Sequence, residues 1–176
     1  GWCPLNNKGV PKKSAVLTAD GAGEDDTVNF LFGENNKLTL LNRMKIPHST
    51  GSFYSTFTEY LGYKPENDEW KVMALSSYES KKNKFYKLIK NMISLNDNGT
   101  FSLDQNYFKQ HILVLPNFYT EKFIKVLGPP RKTGEKFTQR HYEIASAMQE
   151  IFEEIMFHML KNLNSRTKSQ NVVLSG

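Results

Sequence analysis

Cysteine is almost missing from this chain. Its 176 residues hold one, Cys3, which excludes a disulfide framework and a cysteine-built zinc site together. No apolar run approaches the ~20 residues of a membrane helix, and no secretory leader opens the chain. A cytoplasmic place without membrane contact is therefore expected. Internal repeats and low-complexity tracts are also lacking. Histidine is sparse, at four residues. Asn98-Gly99-Thr100 fits a glycosylation sequon, but without a leader it reads as an Asn-Gly turn.

What is present describes a folded domain. Hydrophobic residues make up 39%, aromatics 12% and charged residues 23%, which excludes wholesale disorder. A chain of this length buries roughly 70% of its unfolded surface, so one core suffices. The net charge is +5 with a pI near 9.2, a balance that suits an anionic small substrate as well as nucleic acid. The one basic concentration is Lys81, Lys82, Lys84, Lys87 and Lys90, interleaved with Phe85, Leu88 and Ile89. That pattern is an amphipathic surface helix with a solvated lysine face, and nucleic-acid binding is not expected there.

Residues 1–13 read as a lead-in loop, and the domain as 14–176. Ser14 to Ala19 is a buried strand entering the turn Asp20-Gly21-Ala22-Gly23. Alternation at Val28, Phe30 and Phe32, then at Leu38 and Leu40, completes a three-strand meander. Helices are expected over Gly51–Gly62, Glu69–Tyr78 and the lysine segment to about Ile93, with a small strand patch at Phe101 and Leu103. Residues 111–137 carry no assignable period, and Gly128-Pro129-Pro130-Arg131 excludes helix interior. The strongest signal runs from about Gln139 to Leu163, where Ile144, Met148, Ile151, Ile155, Met159 and Leu163 recur at helical spacing. Thr138 fits its N-cap. After a polar break at Asn164–Gln170, Asn171 to Leu174 reads as a buried strand reaching Ser175-Gly176. Such a strand needs further cover.

Two glycine turns carry the chemical interest. Asp-Gly-x-Gly between strands lets the backbone approach an anion, with Gly21 and Gly23 as the cradle and the Asp free to orient a metal or water. An ordinary hairpin with an acidic rim stands equally open. Ser175 and Gly176 would meet a nucleotide at the sheet's C-terminal edge. Together these features resemble the ribonuclease-H-like lobe of the actin, sugar-kinase and heat-shock ATPase superfamily, an α/β fold with a mixed sheet. That likeness chooses no function.

The middle of the chain does choose. Pro47-His48-Ser49-Thr50-Gly51-Ser52-Phe53-Tyr54, Thr58-Glu59-Tyr60-Leu61-Gly62-Tyr63 and Glu69-Trp70-Lys71-Val72-Met73-Ala74-Leu75 closely resemble the O-carbamoyltransferase family of antibiotic-tailoring and nodulation type. Its usual runs are P-H-S-x-G-x-x-Y, T-x-x-L-G-[FY] and E-[YW]-K-V-M-G-L-A-x-Y-G. The strand into Asp20, Gly128 to Arg131, and Thr138-Gln139-Arg140-His141 agree in order. The resemblance implies an internal piece of the N-terminal, metal-binding transferase part, truncated at both ends. It also implies carbamoyl transfer from carbamoyl phosphate, through an ATP-derived carbamoyladenylate, to a hydroxyl of a small sugar or antibiotic acceptor. Asp20 would be one ligand of a divalent metal, commonly iron, whose histidine pair and second aspartate lie elsewhere. The fragment alone should be inactive, with the remainder of its own chain as partner.

Lys71 is expected as an anion contact beside the nucleotide. His48 and Ser49 are expected as structural or ligand-contacting, with general base the other option for His48. Other histidines read as surface or packing residues. Ala74 stands where the family has glycine: either a close approach is perturbed or a helix position is harmlessly filled. Two rivals remain: a same-fold enzyme such as a tRNA threonylcarbamoyl-transfer enzyme or sugar kinase, and a non-catalytic nucleotide-binding domain. Trp70 to Met73 and Gly128 to Arg131 speak against the first.

Overall fold

The computed structural model describes residues 12–21, 25–79, 82–109 and 117–176. Strand β1 (Lys13–Ala19) pairs antiparallel with β2 (Asp26–Glu34), and β2 with β3 (Lys37–Lys45), so the expected meander is present. Asn35 and Asn36 take the left-handed conformation between β2 and β3, as a tight hairpin requires. The final strand, β6 (Val172–Ser175), lies parallel to β1, which gives a mixed sheet of order β3-β2-β1-β6. Ser14–Ala19 and the C-terminal strand therefore share a sheet.

Register decides which side of the sheet is buried. Leu17 faces Phe30 and Ala19 faces Val28 across β1 and β2, and Leu17, Phe30 and Val28 are buried in the core. Helix α1 (Thr50–Tyr60) contributes Phe53, Phe57 and Tyr60, and the long α5 (Gln139–Thr167) contributes Ile144, Met148, Ile151, Ile155 and Met159 to the same cluster. Phe53, Phe57, Phe108 and Phe123 form a run of tilted and edge-on ring pairs, the preferred aromatic geometry. Helices α2 (Glu69–Ser76) and α3 (Lys84–Lys90) flank α5, and β4 (Ile93–Leu95) with β5 (Phe101–Leu103) forms a hairpin turning at Gly99. Among the described residues no helix is long and apolar enough to cross a membrane.

Several expectations change. Helix α4 (Glu121–Leu127) lies in the unassigned stretch; at 7 residues it is too short to establish an apolar period, and only Phe123 and Leu127 of it are fully buried. Helix α3 stops at Lys90 because Met92 and Ile93 are taken into a turn and β4. Helix α5 continues through Asn164 to Thr167, where the expected polar break stood, and ends at left-handed Lys168. Those residues extend the exposed face of a helix already nucleated, so polarity did not end it. Thr138 is its N-cap, with its N–H donating to His141 Nδ1 at 3.0 Å. Strand β6 is not buried: Val172 and Leu174 are 50% and 57% exposed, although they share register with buried Ala15 and Leu17. Within this chain it is the outermost strand of the sheet, and α5 packs over β1.

Candidate functional site at the C-terminal rim of the sheet

The parallel pair β1 and β6 points its C-terminal ends the same way, and the turn after β1 begins with Asp20 and Gly21. Thr18 and Ser175 are register partners. A Cβ placed on Gly176 would stand 1.9 Å from Ala19 O, so the end of β6 presses on the end of β1. Sequence order separates these residues by more than 150 positions; the sheet brings them to one edge, where open α/β sheets bind ligands.

Helix α1 closes the rim from a third side. Ser49 is its N-cap and accepts from Ser52 N at 3.1 Å. Its hydroxyl proton is shared between Asp20 O at 2.9 Å and Gly21 O at 2.6 Å. Gly51 permits this approach: a Cβ there would lie 2.6 Å from Gly21 Cα and Gly21 N. Ser49 is buried, while Asp20 is exposed with its Oδ1 accepting from Gly21 N at 2.6 Å. The helix N-terminus, which carries partial positive charge, thus abuts the acidic turn.

His48 faces inward. Its Nδ1 accepts from Leu103 N at 3.1 Å, and its carbonyl accepts from Thr27 Oγ1 at 2.6 Å. Burial holds its pKa below the usual value, and an accepting Nδ1 places a ring proton on Nε2. This arrangement ties the Pro-His-Ser loop to β2 and β5; it leaves no free Nδ1 for proton abstraction. Thr27, Leu103 and Gly51 were not singled out in the sequence. Only Gly51, inside the P-H-S-x-G run, carried a signal that would have found it.

Lys71 does not join this rim. It bonds Asp68 at 2.8 Å and lies over the Tyr63 and Trp70 rings, beyond the far end of α1. Eleven helical residues span about 16 Å. Gly23 falls outside the described residues. His141 is a buried cap residue of α5; its pKa is lowered by burial and then by Arg140 and Arg131. His158 donates through Nε2 to Asn96 O at 2.9 Å, and His111 lies outside the described residues. Ala74 is exposed on α2.

The remaining motif residues tie elements together. Tyr54 donates to Gln149 Oε1 at 2.8 Å, Ser55 to Glu69 Oε1 at 2.8 Å, and Tyr60 to Gly128 O at 2.7 Å. Arg131 donates to the carbonyls of Leu61 and Glu135, and its guanidinium stacks on Phe137 at 3.8 Å. Arg140 donates to Tyr60 Oη, Leu127 O and Pro129 O. Gly62, at φ +77, leaves room for Arg131 O, which a Cβ would meet at 2.6 Å.

A divalent metal does not fit the described residues by themselves. Among them no group of three His, Cys, Asp or Glu side chains is placed to hold one, His48 Nδ1 is taken up by Leu103 N, and even a lean site takes about three protein ligands. Asp20 offers one carboxylate edge.

A mixed sheet opened by a meander, closed by a parallel strand and rimmed by an acidic glycine turn defines a mixed α/β domain with a ligand-type edge. The chain belongs to the carbamoyltransferase N-terminus family, whose model matches residues 9–176. It is 34% identical over 93% of its length to an uncharacterized protein of Synechocystis, covering 26% of that protein. It is 27% identical over 99% of its length to the nodulation protein NolNO of Sinorhizobium fredii, covering 24% of it. With the nodulation protein NolO of Bradyrhizobium diazoefficiens it shares 27% identity over 94% of its length and 28% of that protein. The chain thus spans about a quarter of the length of these curated relatives.

Proposed function

We propose that this chain is part of the transferring portion of an O-carbamoyltransferase. In the whole protein, ATP and carbamoyl phosphate yield carbamoyladenylate with release of phosphate and pyrophosphate, and the carbamoyl group passes to a hydroxyl of a small sugar or antibiotic acceptor. The acceptor oxygen forms the new bond to the carbamoyl carbon, the carbon–oxygen bond to AMP breaks with its electron pair, and the acceptor proton is released. The family match supports carbamoyl transfer. The strand order, with β6 parallel to β1 beside a meander, supports a ribonuclease-H-like lobe of the actin, sugar-kinase and heat-shock ATPase superfamily.

One observation carries the reading: three segments far apart in sequence are pinned into one rim by Ser49, Gly51 and Gly176. On that rim no described residue lies within 4 Å of where a Cβ on Gly21 would stand, which leaves space for a nucleotide phosphate. Gly21 N–H is held by Asp20 Oδ1, so phosphate binding there requires that contact to swing open. Ser175 and Gly176 would flank the nucleotide. Asp20 would supply one ligand of a divalent metal, iron by family resemblance, whose other ligands come from outside the described residues; when bound, such an ion polarises a carbonyl and acidifies a hydroxyl. Ser49 and His48 hold the turn and transfer no proton.

The test uses the intact gene product with ATP, carbamoyl phosphate and ferrous iron, following adenylate formation and transfer to hydroxyl acceptors. Transfer lost in Asp20→Ala with adenylate formation surviving supports the proposal. Neither activity in a folded, iron-loaded protein points instead to a non-catalytic nucleotide-binding domain.

A further inference from the structure

We propose that the outer face of α2 is a docking surface for another part of the same whole protein. Helix α2 turns Val72 and Leu75 into the core, yet its opposite side is apolar too. Trp70 and Met73 are 61% and 55% exposed, and Ala74 lies beside them. Ser77, the C-cap, and Tyr78 just past it, 75% exposed, continue the same helical spacing. The five residues recur at i, i+3, i+4, i+7 and i+8, which is the stripe an amphipathic helix normally buries. A helix that carries apolar side chains on two opposite sides, as α2 does with Val72 and Leu75 against Trp70 and Met73, is suited to burial on both.

The chemistry of the stripe is that of an interface centre. Trp, Tyr and Met are enriched there and charge is depleted. Lys71, which lies over the Trp70 ring, is bonded to Asp68 at 2.8 Å, so among the described residues the stripe itself offers no free row of positive charge for a phosphate backbone. Size then selects the occupant. An aromatic side chain presents about 150–250 Å², and at the observed exposures the stripe offers on the order of 400 Å². A freely diffusing partner or a second copy needs about 800 Å² per side for stable association. A tethered segment is held by less, because linkage supplies a millimolar effective concentration without new contacts. The curated relatives align with nearly the whole of this chain over about a quarter of their own length, so family members carry ample tethered chain to cover it. The inference rests on family membership and not on the carbamoyl-transfer reading.

The test is hydroxyl-radical footprinting of the intact gene product, read by mass spectrometry at Trp70, Met73 and Tyr78. Phe157, 60% exposed on α5, serves as the reference. Oxidation at the three positions suppressed about tenfold relative to their intrinsic reactivity, as water exclusion at an interface centre requires, is expected at every protein concentration. An Ala74→Asp variant, which places its charge on the exposed side of α2 and spares the core, should restore oxidation at Trp70. Free oxidation of all three in the wild-type protein overturns the proposal. So does protection that grows with concentration, which would identify a second copy as the occupant. Neither result depends on turnover, so a failure here is distinct from a failure of the transfer assay.

Discussion

Gly21→Ala and Gly51→Ala lie on the two sides of one contact and should change stability in opposite directions. At Gly51 a new Cβ would meet Gly21 Cα and N at 2.6 Å and Asp20 C at 3.0 Å. All three are backbone atoms, so relief requires the turn or the start of α1 to move. Alanine is favoured over glycine in a helix by about 1 kcal/mol. Forcing a methyl into a closed contact costs roughly 1–3 kcal/mol, and a 2.6 Å approach to backbone belongs at the upper end. The net expectation for Gly51→Ala is a loss of about 1–2 kcal/mol. At Gly21 no described residue lies within 4 Å and φ is outside the left-handed region. Alanine there restricts the unfolded chain and should stabilise by roughly 0.4–1 kcal/mol. Equilibrium urea unfolding of the chain followed by circular dichroism reads both as midpoint shifts at constant slope. A Gly51→Ala midpoint at or above wild type would refute the close approach of α1 to the acidic turn. A stable Gly21→Ala whose intact protein binds nucleotide more weakly would show that the open space at the rim is used by ligand.

Ser49→Ala removes an N-cap and leaves two carbonyls short of a donor, and should cost about 2 kcal/mol in the same assay; Ser49→Thr should recover part of it. Arg140→Lys replaces a fork that reaches Tyr60 Oη, Leu127 O and Pro129 O by a point charge, and a loss of about 1–3 kcal/mol is expected in urea unfolding. His48 and His141 both have pKa values lowered by burial. The folded state therefore binds fewer protons than the unfolded one, so their contribution is present above about pH 6.5 and is lost as pH falls below it through the depressed folded values. Unfolding midpoints measured from pH 7.5 to 5 should fall, and a His48→Asn, His141→Asn double variant should flatten that slope; an unchanged slope refutes the assignment.

Much of the fold was legible because its signals are local and periodic. The meander announced itself through alternation at Val28, Phe30 and Phe32, and α5 through six apolar residues at helical spacing. Thr138 was legible as a cap. Helix α4 was not, because 7 residues, about two turns, are too few to establish a period. The exposure of β6 was hidden for a different reason. Its Val-Val-Leu composition is the same whether or not a helix lies over it, and only the placement of α5 over β1 decides. The polar end of α5 misled because a long helix tolerates an exposed turn once its core face is anchored.

The rim was half legible, and the division follows from how its parts are held. Asp20, Gly21, Ser49 and Gly176 stood out because glycine turns and capping serines have recognisable local chemistry. Lys71 had no address of its own in the sequence, and its ion-pair partner Asp68 is a three-residue helical neighbour. The same applies to the signature runs as a group. Tyr54, Tyr60, Glu69, Arg131 and Arg140 reach across to other elements through hydrogen bonds, so their spacing records how α1, α2 and α5 are clamped. A motif that clamps helices fixes the direction in which α1 meets the β1 turn, and through Ser49 and Gly51 it fixes the rim. The signatures therefore act on the site at one remove. Substitutions in them should lower stability before they alter any ligand preference, whereas Gly21→Ala should do the reverse.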